Sequence, residues 1–450
     1  MAASGTHLED RIRSEVQQSV PELVALVREL VAFDTTARSA GDPARDEEAC
    51  QRHLAARLGA IGAEIDLWEP PSTGEGNRLV PDHLDFVGRP QLIARLPGRG
   101  NGRSILLNGH IDVVPPGPRE DWSVDPFAAE ERDGFLIGRG VGDMKGGVAA
   151  CCLALEILHR LGVTLDGDVL FCTNTDEETS GAGSLACVER GVRADGGICA
   201  EHSNFDAWIT TRGTLWPYVI VPGRAGHAEL PHPHWTEGGA VNAIDKAQIV
   251  IDAARRLREE WRTAPDRQHP YLTPPSVIPT MIEGGIFPLT YPPSCKVTFD
   301  VTYLPSQVDE SGTGAGVERE FREFVEAAAA ADPWLAANPL TWGLLGDTVA
   351  AEMPADHPLV GIVLGAGAEL GRPGKVGGID SWHDAAYYIS RGKTPTFSYG
   401  PKGLETAHAP DERVPIDELV DYCAIIAIAV SRYCSCRLKR EGADTDARAH

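Results

Sequence analysis

Between residues 21 and 200, short apolar runs alternate with segments whose apolar residues recur at helical spacing, and this alternation commits the chain to a sheet with helices packed on it. Leu23, Val24, Leu26, Val27, Leu30 and Val31 mark one face of a helix over 21–33, and a second helix is expected over 49–61. Strands are expected at 65–68, 92–96 and 104–109, followed by a buried helix at 146–161, a strand at 168–173, a helix at 184–190 and a strand at 197–200. After Arg212 the rhythm changes. A strand at 215–221, a long helix at 240–261, strands at 277–283 and 295–303 and a helix at 316–330 are the content of a small α+β layer. Alternation returns with helices at 358–370 and 385–390, a strand at 396–398 and a helix at 416–433. The class is therefore α/β: a discontinuous domain with a mixed, mostly parallel sheet, interrupted by a small α+β domain. Residues 1–212 and 332–438 would be its two parts, 213–331 the interruption, and the charged, aperiodic stretch 439–450 a disordered tail.

A chain of 450 residues has room for two or three domains and a large core. Its 41 Lys and Arg against 65 Asp and Glu leave a net charge of −24, which repels phosphate backbones and anionic headgroups, so neither nucleic acid nor a membrane surface is an expected partner. Residues 1–15 are polar and acidic, unlike a secretory signal, and the longest near-continuous apolar run, 424–430, is too short to span a bilayer. A cytoplasmic protein is expected. Six of the ten cysteines, Cys151, Cys152, Cys172, Cys187, Cys199 and Cys423, sit in apolar stretches as small hydrophobes. Cys434 and Cys436 have no second pair of matching spacing that would make a metal or redox site.

Polar residues with chemical potential cluster where strands end. In ILLNGHIDVVPPG (105–117) the period-two alternation turns His110 and Asp112 to one side at the end of an apolar strand. A carboxylate beside an imidazole can hold it in the tautomer that binds a metal, although the same pair also serves as an ordinary surface hydrogen bond. GRGVGDMKGG (138–147) lacks the Gly-x-Gly-x-x-Gly spacing of a dinucleotide site; its glycines instead let Asp143 approach a crowded centre as a carboxylate bridging two cations. In TNTDEETSGAGS the adjacent Glu177 and Glu178 diverge, so one can bind metal while the other handles protons. Glu201 ends the apolar strand over 196–200, and His408 lies in the loop GPKGLETAHAPDE after the strand near Phe397. Sites in α/β sheets gather at the carboxyl ends of strands, and His110, Asp112, Glu177, Glu178, Glu201 and His408 all occupy such positions. Two histidines and three carboxylates suit Zn²⁺, with Co²⁺ or Mn²⁺ as alternatives.

These segments, together with Asp121, Trp122 and Asp125–Phe127, resemble in order and spacing the dinuclear metallohydrolase family of acetylornithine deacetylase, succinyl-diaminopimelate desuccinylase, aminoacylase and carboxypeptidase G. The resemblance runs from about residue 21 to 433. It implies that His110, Asp143 and Glu201 hold one metal ion and Asp143, Glu178 and His408 the other, that Asp112 orients His110, and that Glu177 is the general acid and base for a water shared by the metals. It also implies that the interrupting domain is a lid through which two chains dimerise, and that His227 of GRAGHAELPH reaches the partner's site to stabilise an oxyanion. The implied activity is hydrolysis of a small N-acylated amine by a metal-dependent deacylase or deformylase. An aminopeptidase or carboxypeptidase of the same architecture, or a non-catalytic scaffold that kept the fold, are the alternatives. His232, His234 and His383 match no family role and read as solvated or supporting groups.

Relatives that bind an amino-acid carboxylate carry an Asn and an Arg in the lid. Within GGIFPLTYPPSCKVTFDVTYLP (284–305) those positions are Leu289 and Thr302. Losing a bidentate guanidinium removes the group best matched to a carboxylate. A less anionic amide is therefore expected, such as the N-formyl or N-acyl derivative of a heterocyclic or aryl amine.

Overall fold

The computed structural model describes residues 2–38, 42–71, 76–81 and 84–438; the expected tail at 439–450 lies outside them. Helices α1 (Ala2–Gln18), α2 (Val20–Ala32) and α3 (Glu47–Ala60) precede strands β1 (Glu64–Trp68), β2 (Gln91–Leu96) and β3 (Ile105–His110). Helix α4 (Lys145–Arg160), strand β4 (Val169–Asn174), helix α5 (Ala182–Glu189) and strands β5 (Gly196–Cys199) and β6 (Ala207–Thr211) follow. Next come β7 (Gly213–Pro222), α6 (Ala243–Thr263), β8 (Val277–Gly284), β9 (Ser294–Tyr303), α7 (Ala315–Ala329) and β10 (Thr341–Thr348). The chain ends with β11 (Ala351–Glu352), α8 (Pro358–Glu369), β12 (Val376–Ile379), α9 (Ala385–Ser390), β13 (Thr396–Ser398) and α10 (Ile416–Tyr433).

The large mixed sheet has the order β1-β2-β4-β3-β5-β13-β6-β11, with β12 also paired to β6. Its central strands β4, β3, β5 and β13 are parallel, and α4 and α5 are the crossovers that parallel neighbours require. All six residues of β3 are buried, as befits a strand covered on both faces. Helices α4 and α10 pack together on one face, joining Val148, Ala149 and Leu153 to Leu419, Ile426 and Val430 in one core. Each fully buried aliphatic side chain of this kind contributes about 1.5–3 kcal/mol relative to exposure. Helix α1 extends that core: Leu8, Ile12 and Val16, four residues apart, are buried, and Glu9 meets Arg432 of α10 at 2.9 Å. Among the described residues no helix is long and apolar enough to cross a membrane.

The smaller sheet, β8-β9-β7-β10, is antiparallel throughout. Burial alternates along β7: Leu215, Val219 and Val221 join Ala247, Val250, Leu257, Phe299 and Phe321 in a core separate from the large one, while Thr214, Trp216 and Tyr218 stay half-buried on the opposite face. The boundary placed at residue 331 needs correction, because β10 at 341–348 belongs to this sheet. Without it β7 would be an edge with unpaired N–H and C=O groups. Strand β10, TWGLLGDT, shows no clean apolar alternation, which is why its sequence carries no strand signal.

Candidate metal centre

His110 is the last residue of β3, and its Nδ1 lies 2.9 Å from the main-chain oxygen of Asp112. A carbonyl only accepts, so Nδ1 carries the proton and Nε2 offers its lone pair. Nε2 sits 3.2 Å from Asp143 Oδ1 and 3.8 Å from both Glu201 Oε1 and Glu177 Oε2. Asp112 thus holds the imidazole through its carbonyl. Its carboxylate, 3.8 Å from Nδ1, accepts the N–H groups of Glu177 at 3.3 Å and Glu178 at 3.1 Å, tying the β3 and β4 loops together.

Asp143 presents one oxygen to each histidine: Oδ1 to His110, and Oδ2 to His408 Nε2 at 3.3 Å. The loop that carries it is pinned by Glu412. This buried carboxylate accepts N–H groups from Gly140 at 3.0 Å, Gly142 at 2.9 Å and Asp143 at 3.1 Å, and pairs with Arg139 at 2.6 Å. His408 Nε2 lies 3.1 Å from Glu178 Oε2. Glu177 and Glu178 follow Asp176, whose φ of 75° starts the turn and whose carboxylate pairs with buried Arg89 at 3.2 Å.

Two groups of candidate ligand atoms result, each within 4.8 Å: His110, Asp143 and Glu201, and Asp143, Glu178 and His408. The residues fit a pair of cations on two further observations. Glu178 Oε1 is buried without a hydrogen-bond partner, and the carboxylates are electrostatically frustrated. Burial and the Asp143 charge push Glu178 up to about 7, and burial with the Asp143 charge likewise raises Glu201 well above its ordinary range. Burial also raises Glu177, with Glu201 and Asp384 adding to it against the opposing His110. Divalent ions would relieve this repulsion.

His202, which the sequence reading passed over, is buried beside the cluster, with Nδ1 3.5 Å from Glu201 Oε2 and 3.6 Å from Asp143 Oδ1. Adjacency to Glu201 was its only signal. Glu412 lay in a quoted motif, but its role depends on a loop about 270 residues away. His383 is buried rather than solvated, 3.1 Å from Ser398 Oγ, and burial holds its imidazole down at about 3. His227 is exposed on the smaller sheet's loop, its carbonyl accepting from His232, and it is not among the residues lining the cavity. His234 is exposed and bonds Thr236.

The cluster floors a cavity of about 520 Å³. Its other walls include Trp208, Trp216, Trp382, Asp300, Thr302, Asp380 and His383, and among the described residues no Lys or Arg lines it.

Comparison with known proteins gives a family and a fold. Residues 106–432 match the family described as peptidase family M20/M25/M40. An N-formyl-4-amino-5-aminomethyl-2-methylpyrimidine deformylase of Halalkalibacterium halodurans is 29% identical over 95% of this chain and 98% of its own length. A succinyl-diaminopimelate desuccinylase of Methylorubrum populi is 31% identical over 74% and 83%, respectively. In fold, the chain is similar to human carnosine dipeptidase 1, with a TM-score of 0.66 at 18% identity over 95% of this chain and 99% of that one.

Proposed function

Because the chain belongs to peptidase family M20/M25/M40 and is a metal-dependent amide hydrolase, we propose that it removes a formyl or other short acyl group from a heteroaromatic amine. The observation that carries this reading is the lining of the cavity shared with the candidate metal ligands, which includes three indoles and, among the described residues, no Lys or Arg. By the family resemblance, Thr302 takes the position at which carboxylate-binding relatives carry an arginine. The guanidinium nearest it, Arg212, donates to Thr302 Oγ1 at 3.1 Å but is paired with Asp380 at 2.6 Å. A substrate carboxylate would meet Asp300 and Asp380, with no Lys or Arg among the described lining residues to offset them. The relatives named as pyrimidine deformylases agree with a neutral or cationic amine.

Two divalent ions held by His110, Asp143 and Glu201 and by Asp143, Glu178 and His408 would supply Lewis acidity for the scissile carbonyl, with zinc favoured by the donor set and cobalt or manganese as alternatives. Glu177 takes a proton from the attacking water and returns it to the amine nitrogen as the C–N bond breaks, releasing a carboxylate and the free amine. Asp112 fixes both partners of this step, His110 through its carbonyl and the Glu177 turn through its carboxylate. His227 would reach the site of a second chain and donate to the oxyanion. Exposed Ile278, Met281 and Ile282 on edge strand β8, with Ile286 and Phe287 beyond it, support a homodimer joined there, since an unguarded apolar edge favours pairing. We place the enzyme in the cytoplasm.

The test is hydrolysis by metal-loaded protein of N-formyl-4-amino-5-aminomethyl-2-methylpyrimidine, N-acetylornithine, N-succinyl-diaminopimelate and a set of dipeptides. The formamide should lead in kcat/KM by about 100-fold or more, the scale set by unpaired polar groups in a substrate pocket. Equal or better turnover of the anionic amides or dipeptides overturns the reading.

A further inference from the structure

We infer that Asp300, held by Trp216, is the specificity residue of an amine subsite that recognises an amidinium-like edge, a protonated ring nitrogen next to an exocyclic amino group. The inference rests on the heteroaromatic-amine reading and adds the group that selects it.

Asp300 and Thr302 alternate with buried Phe299, Val301 and Tyr303 along β9, which puts them on the sheet face turned from α6 and α7 and into the cavity wall. Two carboxylates line the cavity apart from those at the metal ligands, and they are not equivalent. Asp380 is neutralised by Arg212 at 2.6 Å. The hydrogen bond described for Asp300 is from Trp216 Nε1, 3.2 Å from Oδ1. A carboxylate has about four acceptor sites, so this neutral donor orients the group and leaves it both charge and acceptor capacity. Burial raises the Asp300 carboxyl against the opposing Trp216 N–H and the Arg212 charge, so a cationic double-donor partner would favour its ionised form further.

Two of the indoles that line the cavity are fixed in place. The Trp216 ring lies over Gly346, where an added Cβ would come within 3.1 Å of it. Trp382 donates its Nε1 to Val349 O at 3.1 Å and covers Gly181, whose φ of +69° and contact with the ring both exclude a side chain. Flat walls with one oriented carboxylate suit a planar ring protonated on the nitrogen beside its exocyclic amino group, which then presents two parallel N–H donors as a guanidinium does. An aliphatic amine or a plain benzene ring offers no such edge.

The experiment measures kcat/KM of wild type, Asp300→Asn, Asp300→Glu and Trp216→Phe on N-formyl-4-amino-5-aminomethyl-2-methylpyrimidine and on N-formylbenzylamine. Calorimetric binding of the two free amines to the metal-loaded proteins runs alongside. In Asp300→Asn the preference for the aminopyrimidine should fall by about tenfold or more, the loss appearing in KM and in the Kd of the free aminopyrimidine. Asp300→Glu should recover part of it, and Trp216→Phe, which keeps a ring but loses the N–H, should fall between. A preference within about twofold of wild type in a folded Asp300→Asn protein that still hydrolyses both formamides overturns the subsite while leaving the proposed activity intact. Failure of the wild type on every formamide, with turnover of other amides, overturns the activity and the subsite together.

Discussion

Glu177 and Glu178 are consecutive, yet one lies 3.8 Å from His110 and the other 3.1 Å from His408, because the turn after Asp176 splays them to opposite sides of Asp143. That divergence supports giving them different work. Replacing Glu177 by Gln keeps size and hydrogen bonding but removes the base, so the variant should retain two metal ions per chain by elemental analysis while kcat falls by roughly 10²- to 10⁴-fold. A loss of bound metal instead would make Glu177 a ligand. The candidate ligands were legible as residues because each stands just past a strand or in a glycine-rich loop, a local signal. Glu412, His202 and the orienting carbonyl of Asp112 were not, since their roles come from contacts between loops far apart in sequence.

Helices and long strands followed the apolar pattern within a few residues, as for α2, α4 and α10. Strands β10 and β12 escaped notice because TWGLLGDT and VGGI are interrupted by glycine and lack alternation; their pairing with β7 and β6 makes them strands. The short helix Pro333–Ala337 shows what secures such junctions. Asp332 accepts the N–H groups of Trp334 and Leu335, each at 3.0 Å, and meets Lys246 of α6 at 2.6 Å. Burial opposes its charge, but Lys246 and the helix N–H groups outweigh burial and hold the carboxyl below its ordinary 3.8. A folded-state value below the unfolded one means that the stabilisation is present above 3.8 and is lost as pH falls through the folded value. Asp332→Asn should therefore lower the melting temperature by about 1–2 °C at pH 7, as expected for a partly buried pair worth about 0.5 kcal/mol. The difference should shrink in calorimetric scans below pH 3.8.

For the whole molecule, the proposed exchange of His227 between chains makes each site dependent on a neighbour. His227→Ala and Glu177→Gln proteins should each be nearly inactive alone. After mixing and reassociation, activity should return to about a quarter of wild type, since half of randomly paired dimers are heterodimers with one complete site each. No recovery, with subunit exchange shown by native mass spectrometry, would place His227 outside its neighbour's chemistry. The amino-acid sequence by itself determined the α/β class, the change of rhythm at Arg212 and which residues stand at strand ends, because hydrophobic periodicity and strand termini are local properties. Its family resemblance also raised, at Thr302, the expectation of a pocket without a carboxylate-binding arginine. Tertiary structure decided what the pocket contains. Pairing of Asp300 with Trp216, neutralisation of Asp380 by Arg212 and convergence of His110, His202, His408 and Glu412 on Asp143 depend on sheet order and on the fold of a second sheet, which no local window of sequence encodes.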